Sequence, residues 1–319
     1  MKRTPYFALM GLLALLGSDR LEKLAAKSPE PDAAEKTASL AEARKGFQTK
    51  LPPLAVEKEP VPKPPPKVFR LVKYDAPVGK LAAFLTPDPA DGKKHPAIIW
   101  ITGGDCNSID DVWSKAPPSN DQTARAYREA GIVMMFPSLR GGNDNPGVRE
   151  GYLGEVDDVI AAAEYLSKQS YVDPARIYLG GHSTGGTMVL LVAECTDRFR
   201  AVISFGPVDD VTGYPPQYTP FDRSIPKEVE LRSPGKWLAG IKSPVFVIEG
   251  TRQGNLESLQ TMARASTNAK VQFFPVEGAT HFTVLAPVNK LLAQKILKDD
   301  GAACNLSVTK DELNKLFRK

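Results

Sequence analysis

The sequence predicts a doubly wound α/β fold with a mostly parallel sheet of eight strands, and three observations carry that prediction. Apolar runs alternate with segments of 3.6-residue periodicity from Val68 to the C-terminus. Two of the runs, Ala97-Ile98-Ile99-Trp100-Ile101 and Val245-Phe246-Val247-Ile248, are apolar at every position. Such runs suit parallel strands covered by helices on both faces. Finally, a glycine-flanked serine in Gly181-His182-Ser183-Thr184-Gly185-Gly186 stands between a strand pattern and a helix pattern.

Taken in chain order, the first element is an export signal over residues 1–18. Met1-Lys2-Arg3-Thr4 is basic and Phe7 to Gly17 is apolar, a run too short to cross a bilayer as an anchor. Its end, Leu15-Leu16-Gly17-Ser18, differs from a bacterial lipobox by a serine where the lipidated cysteine would stand. Residues 19–67 read as an extended or disordered proline-rich spacer, ending in Glu59-Pro60-Val61-Pro62-Lys63-Pro64-Pro65-Pro66. Proline fixes φ and removes amide donors, so this stretch favours polyproline II over packing. A membrane or wall tether is one role for such a spacer. The folded domain then spans 68–319. Its strands are expected at 68–75, 80–86, 96–102, 132–137, 176–181, 201–206, 245–249 and 271–276. Its helices are expected at 119–131, 153–169, 185–196, 256–267 and 284–298.

Composition narrows the partners. The 319 residues carry a formal charge of +4 and 42% hydrophobic side chains, as in ordinary globular domains. The basic residues form no stripe and no nucleic-acid-binding motif is present, so nucleic acid is not an expected partner. The three cysteines, Cys106, Cys195 and Cys304, are far apart and never at C-x-x-C spacing. Neither a metal nor another cofactor is expected.

The chemistry lies in the Ser183 motif. A strand, Arg176-Ile177-Tyr178-Leu179, precedes it and a helical run, Met188 to Val192, follows. That context turns G-x-S-x-G into a nucleophile elbow, with small residues where side chains would collide. Serine needs a base to take its proton, and the chain has three histidines. His95 precedes a strand and so lies at the wrong end of the sheet. His182 adjoins Ser183, points away from it and suits packing or orienting the elbow. His281, in the loop after the last strand, is therefore the expected general base. Two backbone amides would receive the oxyanion. One is that of Thr184; the other comes from Thr102-Gly103-Gly104-Asp105, where Gly104 is first choice and Asp105 second.

From about residue 96 to 299 the chain resembles the catalytic domain of prolyl oligopeptidases and dienelactone hydrolases, within the α/β-hydrolase superfamily. Four segments carry the resemblance: Leu139 to Gly147 (LRGGNDNPG), Gly154 to Val159 (GEVDDV), Tyr171 to Ile177 (YVDPARI) and the elbow. It implies an α/β-hydrolase fold and serine hydrolase activity, with Glu155, Asp157 and Asp158 structural at a helix start. It also implies a triad Asp after the next-to-last strand, but the matching string here is Glu249-Gly250-Thr251-Arg252-Gln253. Asp210, with Asp209 beside it, is the first candidate for the displaced acid, followed by Glu249 and Glu257. The expected activity is hydrolysis of a small carboxylic ester. A short-peptide substrate is the nearest alternative, and a catalytically inactive binding protein the one from another class. The ester preference rests on residues 1–95, which are too short and proline-rich for the β-propeller of related peptidases. The insertion Asp210–Gly235, with Tyr214, Tyr218 and Arg223, is placed to overhang the cleft.

Overall fold

A computed structural model describes residues 39–51 and 58–318, and these belong to one compact unit. The export signal expected over 1–18 and the first part of the spacer lie outside the described residues. Eight strands form one sheet: β1 (Arg70–Ala76), β2 (Gly79–Leu85), β3 (His95–Ile101), β4 (Val133–Pro137), β5 (Val172–His182), β6 (Val202–Phe205), β7 (Val245–Gly250) and β8 (Val271–Val276). Their spatial order is β1-β2-β4-β3-β5-β6-β7-β8. β2 runs antiparallel to both neighbours, and every pair from β4 to β8 is parallel. Among the described residues the α-helices are α1 (Leu40–Ala43), α2 (Ala126–Glu129), α3 (Glu155–Ser167), α4 (Thr184–Cys195), α5 (Pro226–Glu230), α6 (Leu256–Ala265), α7 (Leu285–Leu297) and α8 (Lys310–Lys315).

Strand alternation sorts the core into two layers. Ile99 and Ile101 of β3 join the cluster that holds Val156, Val189 and Met262 from α3, α4 and α6. Ile98 and Trp100 join the opposite cluster with Tyr127, Leu292 and Leu313 from α2, α7 and α8. Both faces are thus covered, which is why these strands are apolar throughout.

Two expectations need correction. The helix expected over 119–131 survives only as α2. Pro117-Pro118 limit it at one end, Ala124 sits at φ +43°, and the Gln122 side chain is spent on bonds to other loops. The spacer expected over 19–67 is packed on the domain wherever it is described. Ser39 caps α1, Leu40 is buried in the core, and Arg44 binds the Asp157 carboxylate and the Leu153 carbonyl, each at 2.8 Å. Thr49 Oγ1 and the Lys50 amide donate to Glu228 at 2.9 and 2.7 Å, which joins this segment to the insertion. Farther along, Val61 packs against the second core cluster. These contacts are long-range and leave no local pattern to read.

The acidic residues at the start of α3 are structural, although through side-chain bonds more than the helix dipole. Asp158 holds Arg140 in a two-pronged pair at 2.9 and 2.8 Å. Glu155 accepts from the Glu150 and Gly151 amides at 2.7 and 3.1 Å.

Asp299 ties the far end of the fold together. Its buried carboxylate accepts from Tyr178 Oη at 2.6 Å, from Arg200 at 2.7 and 2.6 Å, and from the Asn305 amide at 2.9 Å. Burial alone would raise its pKa, but these bonds hold the carboxyl well below the usual carboxylate range. Its contribution is therefore complete above the unfolded value of about pH 4 and fades as pH falls below it. Asp299→Asn should cost about 3–5 kcal/mol at neutral pH by leaving Arg200 buried and unpaired. Urea melts across the acid range should show that the variant loses less stability on acidification than wild type.

Candidate active site

Ser183 ends β5 and precedes α4, at φ +55° and ψ −115°. This strained corner is fixed by backbone on both sides. The Ser183 amide donates to the Phe205 carbonyl at 2.7 Å, and the Ser183 carbonyl accepts from the Thr187 amide at 2.9 Å. Only glycine fits at Gly185, where a Cβ would lie 2.3 Å from the Ile101 carbonyl oxygen. The serine side chain is left part-exposed at the carboxyl ends of the strands.

His281 follows β8, and its Nδ1 lies 2.7 Å from Glu249 Oε2. Glu249 is the penultimate residue of β7 and has no exposure, while His281 is 8% exposed. The carboxylate also accepts from the Gly250 amide at 2.6 Å and the Asn255 amide at 3.0 Å. With Nδ1 donating to Glu249, Nε2 keeps a free lone pair. Ser183 and His281 both border the end of β6. Ser183 bonds Phe205, and at the next residue, Gly206, a Cβ would come 2.5 Å from His281 Cε1.

Of the four carboxylates considered from sequence, the structure brings only Glu249 to His281. Asp210 Oδ1 instead accepts from the amide and hydroxyl of Thr212, at 2.8 and 2.6 Å, and caps a short 3-10 turn. Its side chain is satisfied locally and belongs to no pair with the histidine. Glu257 is exposed in the first turn of α6. Gln253 stands where the family carries its Asp, and the residue after it passes close to the pair. A Cβ on Gly254 would stand 2.6 Å from His281 Nδ1 and 2.8 Å from Glu249 Oε2. Glu249 reaches up from the strand into the space a loop carboxylate would take.

The oxyanion candidates are also placed. Thr184 opens α4, so its amide has no partner within the helix. Its Oγ1 donates to the Gly104 carbonyl at 2.9 Å. In a trans peptide the following Asp105 amide points the opposite way from that carbonyl, which counts against Asp105 as the second donor. The Gly103 amide is already bonded to Gln122 Oε1 at 3.0 Å. Burial pushes the thiol of neighbouring Cys106 up, so it stays protonated and is no rival nucleophile.

Side chains of the insertion and of the loop after β8 border the site. Tyr214, buried, bonds Thr187 Oγ1 through its hydroxyl at 2.8 Å, neighbours Ser183 and stacks on Tyr152 at 5.8 Å. Arg223 supports it from behind by donating to the Tyr214 carbonyl, and Tyr218 packs edge-on at 6.3 Å. Phe282, 41% exposed, sits edge-on to His281 at 4.9 Å. On the other side a groove of about 530 Å³ runs between Thr102, Gly103 and Gln122 and the strap residues Glu59, Pro60 and Pro62. The strap was legible only as a spacer, because its role as a wall depends on where the chain returns. His95 lies away from the site and contacts Asp91 at 3.0 Å. Among the described residues no group of His, Cys, Asp and Glu is arranged to hold a metal, and no helix is long and apolar enough to cross a membrane.

Residues 118–265 match the prolyl oligopeptidase family. The chain has the α/β-hydrolase fold and resembles the prolyl oligopeptidase catalytic domain. The chain is 28% identical over 237 residues to dipeptidyl-peptidase 5 of Porphyromonas gingivalis, covering 65% of this chain and 33% of that protein. It is 26% identical over 208 residues to the uncharacterized peptidase YtmA of Bacillus subtilis, covering 60% of this chain and 76% of that one. Its fold is shared with the esterase of the archaeon Pyrobaculum calidifontis (TM-score 0.56, 18% identity, 75% of this chain and 87% of that one). The chain thus spans about a third of the dipeptidyl-peptidase's length and most of YtmA's.

The close fit around the His281–Glu249 pair makes it sensitive to one methyl group. Gly254→Ala should displace the imidazole and break the 2.7 Å bond while the protein stays folded by circular dichroism. The Nδ1 proton resonance of His281 in NMR spectra should then be lost, and its persistence would show that the loop yields instead.

Proposed function

We propose that this chain is a serine hydrolase that cleaves short peptides through an acyl-enzyme on Ser183. The observation that carries the reading is the 2.7 Å bond from His281 Nδ1 to the buried carboxylate of Glu249, beside a serine in a strained elbow. Ser183 Oγ attacks the carbonyl carbon as its proton passes to His281 Nε2. Glu249 holds the Nδ1–H and stabilises the imidazolium by charge, which a neutral amide could not do. The amides of Thr184 and Gly104 receive the oxyanion. Collapse breaks the carbon–nitrogen bond, and Nε2 hands its proton to the leaving amine. Water, deprotonated by the same nitrogen, then releases the carboxylic acid and restores the serine.

The matched family and the two relatives' names favour peptides over the carboxylic ester expected first from sequence. A relative named a peptidase has 76% of its length within the match, leaving little chain for a large additional domain. The esterase neighbour, at 18% identity, supports the fold alone. The basic and apolar blocks of residues 1–18 support export of the mature protein.

A fluorophosphonate probe should label wild type and leave Ser183→Ala unlabelled; an unreactive wild type would sink the enzyme reading. Glu249→Gln should lower kcat by about 10⁴-fold, whereas Asp210→Asn should leave it unchanged. The opposite order would return the acid role to Asp210. Matched peptide and ester substrates should show peptide cleavage, and ester turnover with no peptide cleavage would restore the ester reading.

A further inference from the structure

A chain of three hydrogen bonds crosses the site beneath the residues assigned to chemistry. The Gly103 amide donates to Gln122 Oε1 at 3.0 Å, Gln122 Nε2 lies 2.8 Å from His182 Nδ1, and His182 Nε2 lies 3.0 Å from the His281 carbonyl oxygen. The donors can be assigned from one end. The Gly103 amide can only donate, so Oε1 of Gln122 faces it and the Gln122 NH₂ faces His182. Nδ1 of His182 is then an acceptor, its proton is on Nε2, and Nε2 donates to the His281 carbonyl. Every group is satisfied in this one arrangement, and the ring is neutral in it. Contact is close as well: a Cβ on Gly103 would lie 2.8 Å from His182 Nδ1.

We propose that Gln122 and His182 are positioning residues that hold the oxyanion loop and the His281 loop in register with the elbow. The inference rests on the serine hydrolase reading for its kinetic consequence, but its hydrogen-bond pattern stands independently. The three bonds join the loop after β3, the loop before α2, the elbow and the loop after β8. They fix the Thr102–Gly103 peptide, one residue before Gly104, on one side of Ser183 and the backbone of His281 on the other. Neither Gln122 nor His182 touches the reacting atoms. The arrangement also explains why residues 119–125 are not helical, since Gln122 must face inward. Burial first, and then the neighbouring His281, push the His182 pKa down to about 3, in keeping with a ring that stays neutral.

The test has a kinetic arm and a spectroscopic arm. Gln122→Met removes two of the bonds at a half-buried loop position and should lower kcat about 10–100-fold with KM little changed. His182→Phe should do the same, and His182→Gln, which can accept from Gln122 and donate to His281, should recover much of the loss. Wild-type kcat in folded Gln122→Met would overturn the proposal, as would a loss confined to KM. If His182→Phe does not fold, Gln122→Met decides. In wild-type NMR with ¹⁵N-labelled histidine, His182 should carry its proton on Nε2 and stay neutral throughout the folded range. Titration near neutral pH would overturn the relay even in an active enzyme. An unreactive wild type with this NMR signature would instead sink the hydrolase reading and leave the hydrogen-bond chain standing.

Discussion

Glu249 is a fully buried carboxylate at the end of an otherwise apolar strand, and much of the site's shape follows from satisfying it. An isolated ion there would be costly, and removing its partners would cost several kcal/mol. Its two oxygens take the Gly250 amide, the Asn255 amide and His281 Nδ1. Three segments are thereby fixed at one point: the end of β7, the turn into α6 and the loop after β8. The turn must pass so close that residue 254 has no side chain, and the end of β6 so close that residue 206 has none. Asn255 then reaches back through Nδ2 to the Gly206 carbonyl at 2.7 Å, closing the ring around the pair.

The parts of this arrangement that could be read from sequence are those written locally. The elbow needs a strand, two small flanking residues and a helix start, all within a dozen positions. The continuous apolar runs identified the central strands because both sheet faces are covered. His281 was legible through the scarcity of histidines and its place after the last strand. Its carboxylate partner was not, because Glu249 lies one strand away and competes with loop carboxylates that look equally suitable. Asp210 is neutralised as a candidate by Thr212, two residues on, a local cap that sequence does not distinguish from a catalytic loop. One signal did exist: an ionisable residue closing the run Val245-Phe246-Val247-Ile248 must find a buried partner.

The misread segments share a physical cause. Residues 119–125 have helical periodicity, but Gln122 gains bonds to two other loops that a helix would forbid. Proline-rich and charged stretches before Val68 look like a spacer by composition. Yet Leu40, Arg44 and Val61 find partners more than a hundred residues away or within the core. Tertiary contacts of this kind override propensity without leaving a periodic trace. Their effect on the site is direct, since the strap walls the groove and the earlier segment braces the insertion that carries Tyr214.

Placing two imidazoles side by side raises an electrostatic problem that the fold resolves. The rings of His182 and His281 have centroids 4.4 Å apart. Two unit charges at that distance repel by roughly 4 kcal/mol near a protein surface, enough to disfavour a state in which both rings are protonated. A donor facing His182 Nδ1 settles the matter, because protonating that nitrogen would set two donors against each other. The orientation of Gln122, imposed by the Gly103 amide, therefore leaves His281 as the ring free to become positive. That is also the ring whose Nδ1 faces Glu249. The neutral network on one side and the carboxylate on the other act on the same quantity, the free energy of the imidazolium. Neither would suffice alone, for a charged His182 would offset much of what Glu249 contributes.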